Sequence, residues 1–404
     1  MKRLTLSMLE AACAPGGASA LSIRTELIPA AGSHAGIAPA RFVRGSDATY
    51  AYATRFVEDA GGQRTAQRVV QIDSKGSALN RIESALSQAI EAGDDLLALT
   101  PRIVVEYATG DRASDYDLPH RAFDGHIRAG TVDGVPVTAT EEYRALRDCT
   151  PANVRPLLEL SPVTLAFGGW DSVRKSHQGR YRSSIVGETV GVLADQSAEG
   201  DAPDARGGAR VDAIAASVRL DAAGMKKLLD DQRDELSESN IQRIEAAIKK
   251  AKGGTTSAAA LGLGAIPPSL NQLGLVACSR IIRSNVVSFS ALRQLRFGLD
   301  AEGEVAARAL LAAFALVCLT RSYAELNYRA DCDLREAGRP VVELDARYGD
   351  VVEIQWPEIP EADALLREAI AKAEGFGIRW EGQTLNVTGS PLVAGGIIAD
   401  AEDE

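Results

Sequence analysis

Nothing in this chain spells out a reaction. No CxxC pair occurs among its five cysteines (Cys13, Cys149, Cys278, Cys318, Cys332), which are odd in number and widely spaced. That spacing excludes a zinc knuckle or a redox dithiol, and it suits a reduced cytoplasm in which thiols act as small hydrophobes. The four histidines (His34, His120, His126, His177) show no ligand spacing such as HExxH, so neither a metal nor a cofactor is expected. The nucleophile signature GxSxG and the phosphate loop GxxxxGK(S/T) are missing. Long apolar runs are missing too. The longest, Ala309–Leu319, falls far short of the ~20 residues a membrane span needs and reads as a buried helix. At the N-terminus, Lys2 and Arg3 precede some apolar residues, but Ser7 and Glu10 interrupt them, so no export signal is expected.

What is present fits a globular protein. Apolar residues make up 46% of the 404 positions and charged residues 25%, enough for a sizeable core. The net charge of -11 argues against sequence-blind coating of DNA, yet a local field at a groove counts for more than the sum. One segment departs from that acidic background. Leu158–Gly191 reads LELSPVTLAFGGWDSVRKSHQGRYRSSIVGETVG and places Arg174, Lys175, Arg180 and Arg182 within nine positions, among Trp170, His177 and Tyr181. Its flanks look apolar and strand-like, with Phe167–Ser172 ending a strand and entering a loop. Guanidinium groups beside aromatic rings suit a charged backbone carrying stackable bases, so the segment is a candidate nucleic-acid surface.

Periodicity outlines the rest. Leu21–Pro29, Tyr50–Val57, Arg68–Asp73 and Leu96–Val105 alternate as strands. Leu79, Ile82, Leu86 and Ile90 mark one face of a helix opened by Ser74. Helices are also expected over Thr140–Leu146, Pro151–Leu158 (with Thr150 as N-cap), Ala222–Lys252, Glu304–Tyr328 and Glu361–Glu374. Residues 108–137 read as irregular structure or a β-ribbon excursion, Asp195–Arg210 as an exposed loop, and 399–404 as an acidic tail. Strands and helices mix without regular βαβ alternation, which favours an α+β domain with large insertions.

Two further constellations attract attention. In Asp73-Ser74-Lys75-Gly76-Ser77, a strand gives way to a helix N-terminus, whose free N–H groups and partial positive charge can hold a phosphate. Lys75 and Arg81 add charge there. The run LGLGAIPP (261–268) precedes Arg280 and Arg283, which would extend a basic groove if both face it. Asp115, Asp117 and Asp124, in the irregular stretch, read as solvated loop acids, or else as groups that activate a 2′-hydroxyl or hold a metal.

Six motifs in order, RTELIPAAG, VQIDSKGSALNRIESAL, ELSPVTLAFGGWDS, RYRSSIVGETVG, GLGAIPP and IIRSNVVSFSALRQLRF, run from about Ser22 to Arg296. This arrangement resembles the CRISPR-associated RAMP backbone subunits of type I-U (I-G) Cascade, the Cas-seven branch. The resemblance implies a modified RNA-recognition-motif (ferredoxin-like) palm with finger and thumb insertions, the whole of 1–404 forming one elaborated domain. Residues 108–137 and 198–254 are the candidate inserted subregions. The turn DSKGSALNR departs from the more polar, Gln-containing family stretch: either Lys75 supplies charge in its place, or the turn does not touch RNA.

What the family implies is a cytoplasmic, non-enzymatic role in antiviral defence. Copies assemble head-to-tail along CRISPR RNA in a helical filament and present the spacer for pairing with target DNA. A fused Cas-five/Cas-six-type subunit and a large Cascade subunit complete the complex, and no membrane is involved. RNA-contact candidates are Arg24, Ser74, Lys75, Gly76, Ser77, Asn80, Arg81, Trp170, Arg174, Lys175, His177, Arg180, Tyr181, Arg182, Ser183, Arg280 and Arg283. No catalytic residue is expected. Two rival readings are a RAMP ribonuclease cutting target RNA from an acidic loop, and a cytosolic enzyme holding a phosphorylated small molecule in the Gly-rich loop.

Overall fold

A computed structural model describes the chain except residues 46, 59–60, 176–177, 198–204, 209–216, 252, 266–268 and 396–404. His177, the acidic tail, part of the 198–254 insertion and the end of LGLGAIPP therefore lie outside the described residues. The chain divides into two compact units, Ala202–Leu275 and the remainder.

The larger unit is built on a nine-stranded sheet. Its strands are β1 (Lys2–Arg3), β2 (Ala20–Pro29), β3 (Tyr52–Glu58), β4 (Arg64–Asp73), β5 (Ile185–Leu193), β6 (Cys278–Ser288), β7 (Leu334–Glu336), β8 (Val341–Asp345) and β9 (Val351–Gln355). Their spatial order is β1-β9-β8-β2-β6-β5-β4-β3, with β7 pairing β2 as well. All pairs are antiparallel except β1 with β9.

Alternation decides what each strand buries. On β2, Leu21, Ile23, Thr25 and Leu27 are buried, whereas Arg24 and Glu26 are exposed. The buried side meets α1 (Leu6–Cys13), α2 (Lys75–Glu91), α3 (Ala301–Glu325) and α4 (Ile359–Glu374). In α3 every residue of Ala309–Leu319 is buried, because a helix apolar on all sides needs neighbours on all sides. By length and composition α3 would pass for a membrane span, but its apolar stretch is almost entirely covered by the protein.

A five-stranded sheet flanks this body, in the order Val135–Pro136, Thr131–Val132, Thr384–Thr388, Arg102–Glu106, Arg112–Ser114. Residues 108–137 hold only short elements, including three strands of this sheet, and they are anchored rather than projecting: Leu118, Ala122, Phe123, Ile127 and Val137 belong to the main core. The smaller unit holds two helices, Ala222–Gln232 and Glu238–Ala251, packed through Met225, Leu229, Ile241 and Ile244.

Four expectations need correction. The segment before Phe167 is helical, not strand-like: Arg155–Leu160 and Pro162–Ala166 each carry proline in the first turn. Its continuous apolar run reflects burial on all sides, which periodicity alone cannot assign. Thr150 caps nothing, since the helix starts only at Arg155 after a turn from Thr150 to Asn153. The single helix read over Ala222–Lys252 is broken at Arg233–Ser237, and strand Arg102–Glu106 starts late because Thr100-Pro101 follows a short 3-10 turn at Leu97–Leu99.

Candidate nucleic-acid interface

The start of α2 is formed as its sequence dictates. Ser74 is the N-cap, and its hydroxyl accepts the Ser77 N–H at 3.2 Å. Lys75, Gly76 and Asn80 are exposed, Ser77 is half-buried, and a side chain added at Gly76 would meet nothing within 4 Å. The helix therefore presents free amides and the positive end of its dipole to an open surface. Asp73, directly before the cap, would oppose an anion. It is buried between two guanidiniums, Arg81 (3.1 and 3.2 Å) and Arg329 (3.2 Å), so the local sum stays positive. Arg81 is thereby spent on the protein: it also donates to the Asn327 carbonyl and lies over the Tyr328 ring.

The basic-aromatic island folds as a short ribbon in which Gly169–Trp170 pairs with Arg180–Tyr181. Its glycines have steric causes. Gly168 has φ +92°, and a Cβ on Gly169 would stand 2.6 Å from Thr164. Tyr181 is buried, stacks on Phe123 and donates to the Cys149 carbonyl at 2.7 Å, and burial pushes its phenol pKa up. Ser183 is half-buried and donates to the Ile185 carbonyl. Trp170, in contrast, is 48% exposed with the Arg180 guanidinium 5.2 Å from its ring centroid. Arg180, Arg182 and Lys175 are exposed with no carboxylate partner among the described residues. Arg174 is half-buried, pairing with Asp148 at 3.0 Å and Asp171 at 3.7 Å. Arg147 also holds Asp148, and its hydrogen bond, then Arg174, keeps that carboxyl below its ordinary range.

One residue that the sequence did not single out joins these two places. Arg121 pairs with Glu83 on α2 at 2.5 Å and donates to the Gly168 carbonyl at the foot of the ribbon at 3.0 Å. It adopts φ +48°, a left-handed conformation that a non-glycine residue holds only when its surroundings enforce it. Burial raises the Glu83 pKa, with Arg121 opposing that shift. Between α2 and this link runs a groove lined by Asn80, Ser84, Tyr116, Asp117 and Pro119. No sequence spacing announces a bridge between positions 83, 121 and 168.

The remaining candidates lie elsewhere. Arg280 and Arg283 are three apart on one strand and so face opposite sides. Arg283 is buried beneath the helices, stacked on Tyr323 and paired with Glu336 at 2.5 Å. Arg280 and Arg24 face the open side of the sheet, away from α2, beside Arg55 and Arg64, which the sequence reading passed over. Of the acids of residues 108–137, Asp115 and Asp124 are buried, and Asp124 accepts the His126 N–H at 2.9 Å, whereas Asp117 is exposed in the groove beside α2 and accepts the Ser114 N–H at 2.8 Å. Among the described residues no group of three or more His, Cys, Asp or Glu is arranged to hold a metal.

Residues 21–196 match the family model described as CRISPR-associated protein GSU0053. Over this segment the chain is similar to CRISPR-associated proteins of the Cas-seven type. The matched segment contains the α2 cap, Arg121 and the Trp170 ribbon, and it ends before the smaller unit begins. GLGAIPP and IIRSNVVSFSALRQLRF lie beyond it. No curated protein matches the chain.

Proposed function

We propose that this chain is a non-catalytic backbone subunit of a type I-U/I-G CRISPR effector, with the large sheet and its helices as palm. The α2 amides, Lys75, Arg180 and Arg182 grip phosphates of the guide RNA, and Trp170 offers a stacking surface. Such contacts fix register without reading sequence, and base pairing of the guide with target DNA supplies specificity. Neighbouring copies, a fused Cas-five/Cas-six-type subunit and a large subunit are the partners of this role. The observation that carries the reading is the Arg121 link, which ties the helix cap's element to the cationic ribbon inside the family-matched segment. The burial of Asp115 and Asp124 favours this role over RNA cleavage from that loop.

Filter binding of a labelled CRISPR RNA tests it. Arg180→Gln with Arg182→Gln is expected to lower affinity at least tenfold at low salt. Removing two phosphate contacts is also expected to flatten the log-log salt slope by about 1.4, at roughly 0.7 per contact for a single strand. Unchanged affinity and slope overturn the assignment.

A further inference from the structure

The large sheet carries complementary features at two opposite corners. At the first, the turn between β8 and β9 holds Arg347, Tyr348 and Gly349 at φ 72°, 55° and 91°. Two successive non-glycine residues in the left-handed region are costly and need enforcement. Enforcement is visible: the Arg347 guanidinium donates to the Gly16 and Gly17 carbonyls at 2.6 and 2.7 Å. Asp345 accepts the Ser19 amide at 2.9 Å, the Ser19 hydroxyl at 2.6 Å and the Arg347 amide at 2.9 Å. This clamped turn holds Tyr348 wholly in solvent, with Val351 half-exposed behind it. Asp350 and Glu353 stand nearby with no ion-pair partner among the described residues.

At the other corner the sheet curls into a trough on its open face. The Arg280 guanidinium reaches the Glu58 carbonyl at 2.6 Å, although β6 and β3 are three strands apart and a flat sheet would separate them by about 14 Å. Val69, Val190 and Ile282 floor the trough, and four arginines (Arg24, Arg55, Arg64 and Arg280) line it with Phe56 against two acids, Glu58 and Glu188. Arg55 is held by Glu188 and Arg280 by Glu26. Arg64 has no carboxylate partner among the described residues and lies 5.3 Å from the exposed Phe56 ring. Leu344 pairs with Leu21 and Ile281 with Leu27. The two features thus lie at opposite ends of β2, about 20 Å apart along the strand.

We propose that the Tyr348 turn of one copy seats in the Arg64 trough of the next copy, tyrosine against the apolar floor and Asp350 and Glu353 against the guanidiniums. The contact is heterologous: each pairing leaves a free turn at one end and a free trough at the other, so it repeats. Charge complementarity between an acidic knob and a basic trough on the same polypeptide carries the inference. It rests on the proposed function only in that a repeating contact suits an array on RNA; the contact itself uses protein surfaces alone.

Sedimentation velocity of the full, nuclease-treated chain at 50 and 500 mM salt is the test. Wild type is expected to self-associate with concentration, at least tenfold more tightly at the lower salt. A turn variant (Tyr348→Ser, Glu353→Lys) and a trough variant (Phe56→Ser, Arg64→Glu) should each remain monomeric at concentrations where wild type assembles. Mixed one to one, they should form a dimer that grows no further, because one supplies an intact trough and the other an intact turn. A monomeric wild type at low salt, or a mixture equal to the sum of its parts, overturns the proposal. Thermal melting checks that each variant folds, and Tyr348→Ser alone serves where a double variant does not. Binding of a short oligoribonucleotide is measured separately. Its absence in wild type would sink the RNA role while leaving the capped dimer standing.

Discussion

Asp115 should make this protein less stable as pH rises through neutrality. Its carboxylate is fully buried, accepts the Ile103 amide at 3.2 Å and takes the hydroxyl of Ser161, which contacts Thr164 at 2.8 Å. Burial raises its pKa from 3.8 to about 7, only partly opposed by those hydrogen bonds. Between the two values the folded state holds a proton that the unfolded state has lost. The associated stability is complete below pH 4 and disappears as pH climbs through 7. Three units correspond to about 4 kcal/mol. Only the part between pH 5 and 7, about 2.7 kcal/mol, falls within a pH 5–8 comparison, so with about 2.1 cal/mol/K per residue of unfolding entropy a chain of this size melts roughly 3 °C lower at pH 8 than at pH 5 for this cause alone. Asp115→Asn keeps an acceptor for Ile103 and cannot ionise. Melting of wild type and variant from pH 5 to 8 should therefore give curves that diverge, the variant flat and the more stable at pH 8. Exposed Asp345, held at about 2 by Ser19, acts only at far lower pH and cancels in the comparison. Parallel curves across that range would refute the assignment of a protonated Asp115.

Two packing predictions follow. A Cβ on Gly187 would stand 1.9 Å from the Asn285 amide nitrogen, and Asn285 accepts the Tyr323 hydroxyl at 2.7 Å. Gly187→Ala should thus cost roughly 1–3 kcal/mol in a denaturant titration by displacing a buried, hydrogen-bonded side chain. Arg121→Met strands the Glu83 carboxylate in a buried site and should cost about 3–5 kcal/mol. Adding Glu83→Leu should recover much of that loss, because the uncompensated charge is the main penalty.

The parts legible in sequence were those governed by local chemistry. Ser74 caps α2 as its side chain predicts, β2 alternates as its residues do, and Ala309–Leu319 lies inside the longest helix. The α+β class followed from the mixture of such elements. What stayed hidden depends on distant partners. Leu157–Phe167 is apolar at nearly every position, so its helical turns have no period to betray them. Arg81, Arg174 and Arg283 look like free cations in a string of letters, yet Asp73, Asp148 and Glu336 claim them. Arg55 and Arg64 went unnoticed because single arginines spaced along strands form no cluster until the sheet curls and gathers them.

That partition of arginines explains how an acidic chain presents a cationic surface. Arg128, Arg147 and Arg174 surround Asp148 and Asp171, three positive groups against two negative. Arg81 and Arg329 surround Asp73, two against one. Each cluster consumes its carboxylates in building shape and retains a surplus positive charge beneath the surface. Close in sequence to the first cluster are the exposed Arg180, Arg182 and Lys175, and next to the second are Lys75 and the α2 amides, with no ion-pair partner among the described residues. Potential at a groove is set by nearby charge rather than by the total, since salt screens beyond about 8–10 Å. The locked arginines shape and bias the surface, and the unlocked ones remain available for phosphate.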